Sequence, residues 1–173
     1  MVSMKLFNRS TLFSTLLIGG SLLLSQGQAT AFPLSQVMKT GKVPYTAVHA
    51  DWAGFTFANR AFHVDFRSHY QNGKLNEMLF YFADRNLTDQ EAHKIAALAG
   101  HVALNCYNLL PERRASIQSW VSTWLIQNDS TRERTFGPLL VNMQHTSNGD
   151  VLMWFTRTGI PGKAPWINHC INR

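Results

Sequence analysis

This sequence predicts an α+β fold: an antiparallel sheet built from two β-hairpins, with two central helices packed on one face. Three observations point there. Asn72-Gly73 separates two aromatic-rich runs, FHVDFRSHYQ and KLNEMLFYFA, and Asn148-Gly149 separates a second pair of runs. An Asn-Gly pair between such runs is the strongest short-range hairpin signal, because a type I′ turn needs positive φ at both central residues. Between the hairpins the apolar period changes from two to about 3.6, starting at a capping box, Thr88-Asp89-Gln90-Glu91. Strands grouped apart from helices indicate α+β rather than α/β.

The chain begins with an export signal in residues 1–31. Lys5 and Arg9 form a basic start, and Thr11 to Leu24 (TLFSTLLIGGSLLL) is a short apolar run. Ala29-Thr30-Ala31 offers the small-x-small pattern of a cleavage site after Ala31. An uncleaved anchor is the plainer alternative, but a span needs about 20 apolar residues and Gly19-Gly20 interrupts this one. Residues 32–173 then form a single exported α+β domain of 142 residues, enough for one core.

Phe32 to Tyr45, punctuated by Pro33, Gly41 and Pro44, reads as an extended arm with one helical turn. Thr46 to Asn59 alternates at Phe55 and Phe57 and reads as a short strand with its loop. In the first hairpin a two-residue turn sets Gln71 opposite Lys74, Phe66 opposite Leu79 and Val64 opposite Tyr81. The apolar face is then Phe62, Val64, Phe66, Tyr70, Leu75, Leu79 and Tyr81. The other face carries His63, Asp65, Arg67 and His69 opposite Phe82, Phe80, Met78 and Asn76.

Ala92, Ile95, Ala99, Val102, Cys106 and Leu109 predict a helix over Asp89 to Asn108, ending before Pro111. Gly100 in its middle costs about 1 kcal/mol against Ala unless a neighbour packs closely there. Pro111 and Glu112 suit the start of a second helix, with Ile117, Trp120, Val121, Trp124 and Leu125 on its apolar face. Asn128 to Arg134 (NDSTRER) reads as an exposed loop. The second hairpin pairs Leu139 to Ser147 with Asp150 to Thr158 and sets Val141, Met143 and His145 on one face with Leu152, Trp154 and Thr156. The tail carries Pro161-Gly162, Pro165-Trp166 and Cys170.

Two cysteines in an exported chain predict a Cys106–Cys170 disulfide tying the tail to a helix. No C-x-x-C motif is present, which argues against a thioredoxin-type oxidoreductase. Without Lys5 and Arg9, 14 basic residues remain against 10 acidic, a net +4 that is scattered along the chain. Specific nucleic-acid binding concentrates basic residues on one face and is not expected here.

The candidate binding surface is the stripe His63, Asp65, Arg67 and His69, with Trp52, Trp166 and His145. Alternate residues on one strand share a side, and an Asp beside a His can orient it as a base or ligand. The plainer reading is a solvated strand face with a surface ion pair. His49, Asp51, Met143 and Met153 add metal-compatible side chains, but no H-x-x-x-H, H-E-x-x-H or C-x-x-C spacing holds two ligands together. Neither a G-x-S-x-G motif nor a Gly-rich phosphate loop occurs in residues 32–173, so no cofactor is expected. Trp52 and Trp166 fall in loop-like segments and are the better stacking candidates, whereas Trp120, Trp124 and Trp154 fall on core-like faces.

The expected function is an exported, non-catalytic binding domain for a protein or cell-envelope polymer, with no stable membrane span after signal cleavage. One alternative is a hydrolase or metal-dependent enzyme using a His63–Asp65 pair. Another is a carrier of an apolar ligand between sheet and helices.

Overall fold

The computed structural model describes residues 30–41, 45–48, 53–56, 63–82, 87–127, 131–164 and 166–172, and only the backbone of 45–48, 53–56 and 63–66. Ala31–Pro33 is β1, Leu34–Thr40 is α1, Tyr45–Val48 is β2 and Ala53–Thr56 is β3. His63–Gln71 (β4) and Lys74–Phe82 (β5) are the first hairpin. Asp89–Cys106 is α2, and a 3-10 turn at Pro111–Arg113 leads into α3, Arg114–Ile126. Thr131–Phe136, Leu139–His145 and Val151–Arg157 are β6, β7 and β8, and His169–Ile171 is β9. The fold is α+β, with an antiparallel path β2-β3-β4-β5-β8-β7-β6. β9 meets the start of β5 at Lys74 and runs parallel to β1.

The Asn72-Gly73 turn forms as expected, with φ of 52° and 72° and Gln71 opposite Lys74. The register beyond it differs from expectation. A bulge sets Tyr70 opposite Leu75 but His69 opposite Glu77, so Phe66 faces Phe80, not Leu79, and Val64 faces Phe82, not Tyr81. The bulge has a physical cause in the pattern of β5. Strict alternation from Leu75 would bury the Glu77 carboxylate. One extra residue instead lets Leu75, Met78, Phe80 and Phe82 all reach the core, each 0 % exposed.

The second hairpin also departs from the expected register, here through its loop. Its connection is the five-residue segment 146–150, in which the Thr146 amide donates to Asp150 O and the Thr146 hydroxyl accepts from the Asp150 amide. His145 therefore pairs with Val151, Met143 with Met153 and Val141 with Phe155. A slip of one residue exchanges the faces. Val151, Met153 and Phe155 enter the core, while Leu152 and Trp154 are half-buried on the far side of the sheet.

The polar segment expected as a loop is partly strand: Thr131–Phe136 is an outer strand pairing only with β7 among the described strands. Its polarity reflects that position. Exposed Arg132, Glu133 and Arg134 discourage further strand addition, while Arg132 stacks 4.7 Å over Trp124 and Arg134 lies 5.1 Å over Phe136.

α2 starts at the expected capping box, with the Glu91 amide donating to Thr88 Oγ1 and the Thr88 amide to the Glu91 carboxylate. Its stripe of Ala92, Ile95, Ala99, Val102 and Cys106 is buried. α3 crosses Gly100 so closely that a β-carbon there would lie 2.9 Å from Gln118 Cγ. α3 buries Ile117, Val121 and Leu125, and half-buried Trp120 meets Phe136 edge-on at 5.9 Å. The helices cover the sheet face that carries Met78, Phe80, Met153 and Phe155. No helix among the described residues is long and apolar enough to cross a membrane.

Cys106 and Cys170 are disulfide-bonded, joining the end of α2 to β9. His169, the neighbour of Cys170, is 5 % exposed and donates from Nδ1 to Ile167 O at 3.2 Å. Burial holds its pKa below the ordinary 6.5, and the cations Lys74 and Arg157 lower it further against the opposing pull of the Ile167 carbonyl. The folded state thus resists taking up this proton, so the stability that depends on neutral His169 is complete above pH 6.5 and declines as pH falls below it. Between pH 7.5 and 5, the urea midpoint is expected to fall more for the native protein than for His169→Gln, which cannot titrate; equal falls would contradict it.

Candidate functional site

The described surface contains a cleft of about 270 Å³ between the α2–α3 connection, the β6–β7 turn and the C-terminal loop. Asn108, Leu109, Leu110, Arg113, Gly137, Pro138 and Trp166 line it. Each wall has a local cause. Asn108 takes a left-handed conformation, φ 55°, which stops α2 and lets the Leu109 amide donate back to Ala103 O, closing the helix end. Pro111 then begins the 3-10 turn and sets Leu110 outward, 49 % exposed, with exposed Arg113 beside it. Leu109 turns inward as the apolar floor, 4 % exposed.

Trp166 forms the facing wall. Its segment closes on itself through Trp166 N–H to Lys163 O at 2.7 Å and Gly162 N–H to Trp166 O at 2.9 Å. The Asn168 amide donates to Asn108 Oδ1, stitching this loop to the end of α2 one turn from the disulfide. Gly159 supports the indole from behind. Its φ is +92°, and a β-carbon would lie 2.7 Å from Trp166 Cδ1 and Nε1. Gly159→Ala is therefore expected to strain the loop and push the indole out of position, at a cost of about 1–3 kcal/mol for the disfavoured backbone. A changed Trp166 indole resonance and a lowered urea midpoint check this; an unchanged spectrum would contradict it.

Among the described residues expected from sequence, Trp166 is the one that lines this cleft. His145 lies at the other end of β7, about 20 Å along the strand from Pro138, and its Nε2 donates to Trp124 O at 3.1 Å. That bond ties the second hairpin to the end of α3. Arg67 and His69 are exposed and sit opposite Leu79 and Glu77, on the side of the sheet away from the helices. The backbones of His63 and Asp65 belong to β4, opposite Thr56 and Gly54, but their side chains and Trp52 lie outside the described residues. Arg67 and His69 are thus not brought together with Trp166 or His145. Among the described residues, no group of three His, Cys, Asp or Glu side chains has a metal-holding arrangement.

Asn108, Leu110 and Arg113 were not foreseen as site residues. One signal was available: an Asn after an apolar helical stripe and shortly before Pro is a helix-stop pattern, and the residues after a stop are exposed. Nothing in the sequence places that stop beside Trp166.

The cleft combines an apolar floor, an aromatic wall and one guanidinium. No carboxylate among the described residues pairs with Arg113, so its charge is available to an incoming group. Comparison of the chain with family models, curated proteins and solved structures gives no match.

Proposed function

We propose that this protein is a small exported binding domain that captures a peptide segment of another protein, and that the Trp166 cleft is its seat. One observation carries the reading. Trp166, a side chain that would otherwise bury its large apolar surface, is left half-buried against Gly159 and lines the cleft together with exposed Leu110 and the apolar floor of Leu109. Aromatic and Arg side chains around an apolar pocket are the usual composition of binding hot spots. The disulfide supports export by its chemistry, since such bonds persist in oxidising compartments.

A peptide library displayed against the purified protein tests the reading. Selected peptides should lose at least about tenfold in affinity on Leu110→Asp or Trp166→Ala, the range of about 1.4 kcal/mol or more expected for a hot-spot contact. The same peptides should bind Arg67→Ala and His69→Ala normally. Peptides that bind the cleft variants as well as the native protein would refute this seat.

A further inference from the structure

The geometry points to a ligand class for this cleft: an apolar or aromatic side chain carrying a free carboxylate close by, as at the C-terminus of a peptide. The inference rests on the cleft being the binding seat. Its volume, about 270 Å³, falls just below the range of about 300–1,000 Å³ typical of sites for drug-sized ligands. It is therefore sized for one residue rather than a long segment. The floor and walls supplied by Leu109, Leu110, Pro138 and the Trp166 ring are apolar, which selects an apolar side chain.

The charge at the rim selects the second group. Arg113 projects from the 3-10 turn at the edge of the cleft, and its Nη1 lies 3.5 Å from where a side chain on Gly137 would begin. Gly137 therefore leaves the guanidinium in contact with the cleft wall with no side chain in between. A guanidinium offers a planar fork that matches a carboxylate in two parallel hydrogen bonds. One cation among the described lining residues suits a monoanion better than a phosphate, whose higher charge calls for several cations. Arg113 itself lines the pocket, so the apolar group and the carboxylate belong to the same terminal residue. A free aromatic acid shares this chemistry, and only the chain preceding the terminal residue distinguishes it from a peptide.

Titration of the purified protein with three probes, followed through the Trp166 indole N–H resonance, tests the assignment. The probes are N-acetyl-Ala-Phe with a free carboxylate, the same dipeptide as its carboxamide, and 3-phenylpropanoate. The free acid is expected to bind about tenfold more tightly than the carboxamide, as for one charge-assisted hydrogen-bonding pair. Arg113→Gln, at an exposed site, should erase that difference; a preference for the acid that survives in this variant would overturn Arg113 as the group that holds the carboxylate. A weaker 3-phenylpropanoate supports a peptide C-terminus; an equal one supports the carboxylate assignment with a free acid as its source. Acid and carboxamide binding equally at Trp166 would overturn the carboxylate assignment and leave the cleft as a seat. No response at Trp166 to any probe would overturn both.

Discussion

Phe155→Ala is expected to lower stability by about 3–5 kcal/mol, the range for removing a fully buried aromatic ring. Phe155 is 0 % exposed, with its ring 4.8 Å from that of Phe80 and 5.8 Å from that of Tyr107. Its carbonyl also accepts the Tyr107 hydroxyl at 3.2 Å, so the strand position is bonded as well as packed. Burial pushes the Tyr107 pKa strongly up, which keeps this hydroxyl a donor throughout the accessible pH range. Urea unfolding with the disulfide intact is the measurement, and the midpoint should fall with little change in slope. Leu152→Ala provides the control. Leu152 is half-buried on the far side of the same strand, so its loss should be clearly smaller. Equal losses at the two positions would mean that β8 does not present Phe155 to the helices.

Removing the disulfide has a comparable expected effect. Cys106 and Cys170 are 64 residues apart in sequence, and the chain-entropy treatment of a loop this long gives on the order of 4 kcal/mol. Both residues are 0 % exposed, so Ala is the appropriate replacement. In Cys106→Ala/Cys170→Ala, β9 keeps its short pairings with β1 and β5 but loses its covalent tie to α2. The tail should then open before the rest of the domain. Proteolysis under native conditions is expected to cut in residues 158–168 of the variant well before it cuts the native protein. An identical urea midpoint and identical cleavage would show that the bond contributes little. The Trp166 cleft should loosen with the tail, because the Asn108–Asn168 hydrogen bond spans the same junction.

Local signals read correctly wherever a short stretch carried its own constraint. Thr88 and Glu91 needed only each other and the first turn of α2 to form a capping box. Asn72-Gly73 needed only its own positive φ values to reverse the chain. Two cysteines left one pairing, and the structure makes it. The errors arose where a local pattern was extended beyond its turn. Counting outward from Asn72-Gly73 put Leu79 and Tyr81 in the core. The bulge between His69 and Tyr70 replaces them with Met78, Phe80 and Phe82, because the helix layer cannot accept Glu77. Counting from Asn148-Gly149 did the same to Trp154. There the Thr146–Asp150 bonds make a longer loop, and Met153 and Phe155 take the buried side.

The candidate site was less legible for a related reason. Trp166 stood out as a large aromatic in a Pro- and Gly-rich tail, but its partners lie far away in sequence. Asn108, Leu110 and Arg113 follow one helix, and Pro138 lies in the turn between β6 and β7. Only the packing of α2 against β9, fastened by the disulfide, brings these segments together. Arg67 and His69 made a conspicuous stripe because strand alternation is visible in sequence. The structure sets them on the sheet face away from the helices, and neither lines the cleft.

By itself, the sequence determined the α+β class, the disulfide pairing, the first turn and the start of the central helix. Those features depend on residues close in the chain or on a choice with one answer. The tertiary structure alone decided which face of each hairpin is buried and where the cleft lies. A strand has two faces related by a shift of one residue, and what separates them in energy is the helix layer that covers one of them.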